Sequence, residues 1–151
     1  MRISDLMTGN VATIEPDSTC REALSRMHRT RIRHLPVVDR EHRLVGIVTD
    51  RDLRHRLFTP AVFKQIGSVA VATLLTGATV KEIMSTPVIS VDREADVEQA
   101  GQLMAQRKVG ALPVTERGRV IGIVTETDLL RHIVQADTSA TPEIDIIVSY
   151  P

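Results

Sequence analysis

The stretch GIVTDRDL at 46–53 returns as GIVTETDL at 122–129. The echo closes a longer one. ISDLMTGNVATIEPDSTCREALSRMHRTRIRHLPVVDREHRLVGIVTDRDLRHRL runs in step with VKEIMSTPVISVDREADVEQAGQLMAQRKVGALPVTERGRVIGIVTETDLLRHI through the LPV triplets at 35–37 and 112–114. The first copy then carries one extra residue, REHR against RGR, and the two resume through GIVT. Met7 meets Met84, Ala23 meets Ala100, Met27 meets Met104 and Asp52 meets Asp128. Each copy has roughly 55 residues, too long for most solenoid units and too short for a comfortable core of its own. The chain therefore divides into a first copy (1–57), a joint (58–79), a second copy (80–136) and a tail (137–151).

Both copies carry the same element signals. VATI and VISV read as short β-branched strands. Thr19 with Glu22 and Asp96 with Gln99 have the spacing of a capping box. Ala23, Leu24 and Met27, then Ala100, Leu103 and Met104, give each following helix one apolar face. HLPVV and ALPVT form a second strand, and RLVGIVT and RVIGIVT a third. Polar turns join them, with Gly118 suited to the second. DRDLRHRL and ETDLLRHI open a second helix. The order β-α-β-β-α predicts an α/β fold. Its nearly continuous apolar strands need cover on both faces. One copy cannot supply that cover, so the two are expected to pack through their sheets about a pseudo-twofold axis. In the joint, Phe63, Ile66, Val69 and Leu74 suggest a connecting helix that Gly67 weakens. In the tail, Ile144, Ile146, Val148 and Tyr150 alternate as in a strand.

Composition narrows the function. Lys plus Arg and Asp plus Glu balance at 19 each, so no global field draws the chain to nucleic acid. The first copy holds eleven Arg against eight acids and carries the basic face. Phe58, Phe63 and Tyr150 are the only aromatics, too few for base-stacking platforms. No apolar run approaches the about 18 residues of a spanning helix, and MRISDLMTGN lacks the apolar core of a signal peptide. A single cysteine, Cys20, forbids an intrachain disulfide. That fits the reducing cytoplasm. Its place on an apolar helix face makes it core rather than nucleophile.

Chemistry is confined to few places. No zinc set, phosphate loop, dinucleotide loop or nucleophile elbow is spelled in the chain. Thr49 with Asp52 and Thr125 with Asp128 recur where the third strand meets a helix. One reading is helix capping by Thr49 or Asp50. The other is ligand binding. A helix start and a hydroxyl favour a phosphate, and a carboxylate can accept from vicinal ribose hydroxyls. Spacing alone leaves both open.

The paired pattern of IxxxM, LPV and GIVTxxDL resembles the CBS-domain pair, or Bateman module, over 3–57 and 80–135. IRHLPVVDREHRLVGIVTDRDL and the strand-like tail look most like acetoin-utilisation-type CBS proteins, in which an ACT-like segment follows the pair. The resemblance implies two clefts between the copies that bind adenosine compounds. It implies that Asp52 and Asp128 hold ribose hydroxyls and that Thr49 and Thr125 contact phosphate. Ala12, Ile32, Ile89 and Val109 would line adenine, each cleft drawing its base wall from the opposite copy. It also implies a homodimer. The function expected is a regulatory sensor of an adenine nucleotide of the AMP, ADP or ATP type, with no required cofactor, no metal and no catalysis. A structural dimer with empty clefts, an S-adenosylmethionine binder and an Arg-driven nucleic-acid binder are the alternatives.

The copies differ at the positions that the resemblance places near phosphate. Arg33-His34 stands against Gly110-Ala111, and Asp50-Arg51 against Glu126-Thr127. Arg presents a planar, permanently charged donor fork to phosphate. The Asp52 cleft thus has Arg33, Arg51 and His34 as anchors. The Asp128 cleft has only Thr125 and Thr127, and is expected to bind weakly or to take a nucleoside-like ligand. For Arg26 and Arg29 a solvated helix end is the simpler reading, and Arg33 divides between the two.

Overall fold

The computed structural model describes residues 1–57, 73 and 75–136. In the first copy a 3-10 turn, Ile3–Asp5, precedes β1 (Thr8–Gly9), α1 (Cys20–Thr30), β2 (His34–Val38), β3 (Leu44–Thr49) and α2 (Asp50–Leu57). The second copy repeats the plan with α3 (Val80–Ile83), β4 (Val91–Asp92), α4 (Val97–Arg107), β5 (Ala111–Glu116), β6 (Arg119–Thr125) and α5 (Glu126–Ala136). The expected α/β fold of two packed repeats is the fold observed. Of the connecting helix expected from Phe63 to Leu74 only residue 73 is described, and it is helical, as are 75–77 at the end of the joint; the strand expected at 144–150 lies outside the described residues.

The second and third strands form antiparallel hairpins in both copies, with Pro36 opposite Ile47 and Pro113 opposite Ile123. β2 is buried from Leu35 to Val38 and β5 from Ala111 to Val114, as continuous apolar runs require. The first strands are shorter than VATI and VISV suggest. Ile14 makes a lone parallel bridge to Val37, and only Val91 and Asp92 form a strand beside β5. β-Branching favours an extended chain, but only the end of each run lies beside a partner strand.

The sheets are completed by exchange. β1, from the start of the first copy, pairs antiparallel with β6 of the second, Thr8 opposite Ile123. In the equivalent place Ser85 of the second copy bridges Ile47 of the first. The sheet order β1-β6-β5-β4 is thus mirrored by Ser85, β3, β2 and Ile14. Backbone bonds fix the crossing. Ser4 N–H donates to the Arg93 carbonyl at 2.9 Å, and Lys81 N–H to that of Pro16 at 2.9 Å. Ile3 is fully buried in the second copy's core with Val97, Met104 and Leu112. Val80 is fully buried in the first copy's core with Cys20, Met27 and Leu35. On the axis, Arg43 bridges Arg119, its own repeat equivalent, and Leu44 N–H donates to the Gly118 carbonyl at 3.1 Å.

Helix starts follow the sequence with one correction. Thr19 and Glu22 form the expected capping box, their backbone N–H groups bonding reciprocally to each other's side chains. Asp96 caps α4 by accepting from Glu98 N–H at 2.9 Å, and no box with Gln99 forms. The short carboxylate is spent on the second residue of the helix rather than the third. Thr79 and Glu82 make a further box that caps α3. Gly118 takes the left-handed φ of +80° that the second hairpin turn needs. Leu24, read as core, is exposed, because Ala23 and Met27 occupy the inward face of α1.

The exchange explains the glycine of both GIVT motifs. A Cβ on Gly46 would lie 2.5 Å from Met84 Sδ. One on Gly122 would lie 2.8 Å from Met7 Sδ and 2.9 Å from the Thr8 carbonyl oxygen. Each glycine makes room for the methionine that opens the other copy. Gly122→Ala is expected to cost about 1–3 kcal/mol, because backbone must move, and Gly46→Ala less, because a thioether can swing aside. Urea unfolding of the two variants checks the order.

Candidate functional site: the paired strand-to-helix corners

Each third strand ends in the threonine of GIVT, and the helix starts at the next residue. Asp50 N–H donates to the Arg33 carbonyl at 3.1 Å and Glu126 N–H to that of Gly110 at 3.0 Å. These bonds tie the entrance of the second strand to the exit of the third. Thr49 N–H and Oγ1 both donate to Asp52 Oδ2, at 2.8 and 2.9 Å, and Asp52 N–H donates to Thr49 Oγ1 at 3.1 Å. The second copy repeats the set at 2.9, 2.7 and 3.3 Å between Thr125 and Asp128. T-x-x-D is therefore a capping box with aspartate in the glutamate position.

Capping uses only part of each carboxylate. Oδ2 takes both bonds in each copy, and Oδ1 has no hydrogen-bond partner among the described residues. All four side chains are half-buried. The box orients an aspartate whose second oxygen keeps its acceptor capacity. The capping and binding readings are compatible, since the same bonds that stop the backbone from fraying hold the carboxylate in one direction.

The other candidates divide between the corners and the cores. Ala12 and Ile32 are partly buried against the first core, and Ile89 and Val109 against the second. Arg33, Arg51 and Thr127 are exposed. Neither arginine has an ion pair among the described residues. Arg33 and Asp50 also border an open groove of about 500 Å³ with Leu24, Met27, His28, Arg31 and Ile32. Arg26, read as a solvated helix end, instead donates to the Thr13 carbonyl and ties α1 to the first-strand segment.

His34 does not stay within its own copy. A Cβ built on Gly110 would lie 3.5 Å from His34 Nε2 and 3.4 Å from Glu126 Oε2. The imidazole of the first copy and the carboxylate of the second thus converge on the space a glycine leaves. The resemblance sets Glu126 among the positions near phosphate but gives it no role there. Its signal was the acid at the same place in both copies, Asp50 in one and Glu126 in the other. Asp50 is neutralised by Arg54 at 2.7 Å, whereas the position equivalent to Arg54 is Leu130. Burial lowers the His34 pKa below its usual value, and Arg33 lowers it further; Asp50, Glu126 and Asp52 act in the opposite direction.

Comparison with known proteins identifies the family. The CBS-domain family model matches residues 3–59 and 80–135. The chain belongs to the CBS-domain family, as a tandem pair. Solved structures carry the same fold. The acetoin utilization protein AcuB of Vibrio cholerae is 29% identical, with a TM-score of 0.72 over 90% of this chain and 92% of that one. CBSX2 in complex with AMP is 26% identical, with a TM-score of 0.74 over 90% and 98%. The CBS pair of MJ0100 in complex with 5′-methylthioadenosine and S-adenosyl-L-methionine is 25% identical, with a TM-score of 0.72 over 90% and 98%. Among the described residues no helix is long and apolar enough to cross a membrane.

The lowered pKa of His34 has a defined sign. Below about pH 6.5 the unfolded chain takes up a proton at this residue that the folded chain resists. The His34 contribution to stability is therefore expected to fall as pH drops below that point. His34→Gln removes it. Urea midpoints between pH 7.5 and 5.5, compared for the two proteins, should show the smaller acid loss in the variant.

Proposed function

We propose that the chain is a regulatory module that binds an adenine nucleotide at the Asp52 corner and responds by altering the geometry of its two copies. The observation that carries the reading is the twin Thr–Asp box, which holds a carboxylate in each copy with one oxygen unbonded among the described residues. Relatives of the same fold are in complex with AMP, or with 5′-methylthioadenosine and S-adenosyl-L-methionine. A carboxylate that accepts from ribose hydroxyls suits the part common to all three ligands. Arg33 and Arg51 favour a phosphate at the Asp52 corner, with Ile89 and Val109 of the opposite copy as the adenine wall. The Asp128 corner, with Thr125 and Thr127, pairs with Ala12 and Ile32. Ligand changes the geometry only so far as it binds one arrangement better than another. The role is regulation in the cytoplasm, without a required cofactor, and not bond chemistry.

A thermal-shift screen with AMP, ADP, ATP, NAD and S-adenosylmethionine tests this. A ligand at 100 times its dissociation constant adds about 2.7 kcal/mol. Asp52→Ala also removes a cap, at about 0.5–2 kcal/mol, so each shift is read against the variant's own unliganded Tm. A nucleotide shift lost in Asp52→Ala and retained in Asp128→Ala is expected. No shift with any adenosine compound would leave the module a structural dimer with empty clefts.

A homodimer belongs to the same reading. Leu130, Ile133 and Val134 on α5 are 62%, 62% and 72% exposed. The equivalent face of α2 carries Arg54 in place of Leu130. A second copy across a twofold axis would cover this apolar face with its own equal. Ile133→Asp is expected to halve the mass measured by sedimentation equilibrium while leaving the circular-dichroism spectrum unchanged.

A further inference from the structure

We propose that Glu126 is a selectivity residue that excludes phosphate from the Asp128 cleft and reserves it for an adenosyl ligand with an uncharged or cationic 5′ substituent. The inference rests on the adenosine-binding reading above and assigns a ligand class to its second cleft.

Position by position, the copies have opposite electrostatics at one backbone geometry. Around Asp52 stand Arg33, Arg51 and Arg54, with Asp50 held by Arg54 at 2.7 Å. At the equivalent places around Asp128 stand Gly110, Thr127 and Leu130, and Glu126 has no ion pair among the described residues. Three cations are exchanged for three neutral residues, and the acid remains. Both acids of the second corner lie on the first turn of α5. A helix start alone would favour an anion, but two carboxylates on that turn oppose it.

The absent side chain at Gly110 gives Glu126 its place. Where the first copy has Arg33, the second has an opening into which Glu126 Oε2 and His34 Nε2 reach, at 3.4 and 3.5 Å from the missing Cβ. His34 could offset the acid only when protonated. Burial and Arg33 hold it toward the neutral form, which leaves the imidazole a poor counter-charge to the carboxylate. Asp50, Asp52 and Glu126 are the groups that favour its protonation. Glu126 itself is exposed, so its removal does not open the core.

Calorimetric titration with two probes tests the assignment. AMP carries a 5′ phosphate, and 5′-methylthioadenosine carries none. In Asp52→Ala, binding reports on the Asp128 cleft, and methylthioadenosine is expected to bind more tightly than AMP. Adding Glu126→Gln should tighten AMP by about tenfold, the scale of one like charge removed from beside a phosphate, and leave methylthioadenosine unchanged. Gly110→Arg, which restores the residue of the first copy, should act in the same direction. Circular dichroism and melting confirm that each variant is folded. Equal affinity for the two probes in Asp52→Ala, or a Glu126→Gln effect that is absent or common to both, would overturn the assignment. So would a wild type that binds AMP while Asp52→Ala binds neither probe, an outcome that leaves the nucleotide reading of the Asp52 cleft standing. If wild type binds neither probe, the adenosine-binding reading falls as well.

Discussion

The exchange of opening segments is the contact on which the rest of this structure depends. Each copy begins by crossing to the other, where an apolar side chain of its opening turn enters a foreign core. Ile3 fills the second core and Val80 the first. The backbone bonds from Ser4 to Arg93 and from Lys81 to Pro16 fix that crossing. A copy of this size buries too little apolar surface to be secure alone. The exchange removes the difficulty, because neither core is complete until the other copy has folded. It also completes both sheets, and so sets the direction of the third strands that deliver the Thr–Asp corners.

The repeat carried much of this outcome. Two copies with continuous apolar strands had to cover one another, and the hairpins, helix starts and β-α-β-β-α order could be read from period and caps. The exchange could not be read in the same way. Met7 and Met84 are ordinary apolar residues in sequence, and nothing local says that each sits over a glycine of the opposite copy. The glycines themselves were a clue. A Gly inside a strand often marks a close approach of other atoms, as at Gly46 and Gly122. The first strands are shorter than their sequence implies for a related reason. β-Propensity is local, whereas a strand needs a neighbour, and VATI has one only at Ile14.

The corners were legible as residues but not as geometry. Thr49, Asp52, Thr125 and Asp128 stand out because they recur. That a single aspartate oxygen does the capping follows only from the directions of the bonds. His34 was read with its own copy because sequence neighbours are easily taken for spatial neighbours. Its ring instead meets Gly110 and Glu126, a consequence of the axis that brings the two corners face to face. Charge asymmetry was legible at Arg33 and Arg51. The loss of Arg54 to Leu130 is not legible in the same way, because its meaning lies in an ion pair and not in a motif.

The bridge on the axis has a consequence for how such a chain can change. Arg43 and Arg119 meet through the main chain, and Leu44 and Val120 donate to carbonyls at 118 and 42. Two arginines in register would be a poor adhesive if side chains had to hold the copies together. Because peptide groups hold them there, the join is indifferent to what the side chains at those positions become. The two halves therefore need not stay alike to stay together. A duplicated chain with its seam in the backbone can let one corner gather arginines and the other shed them, and still close as one molecule.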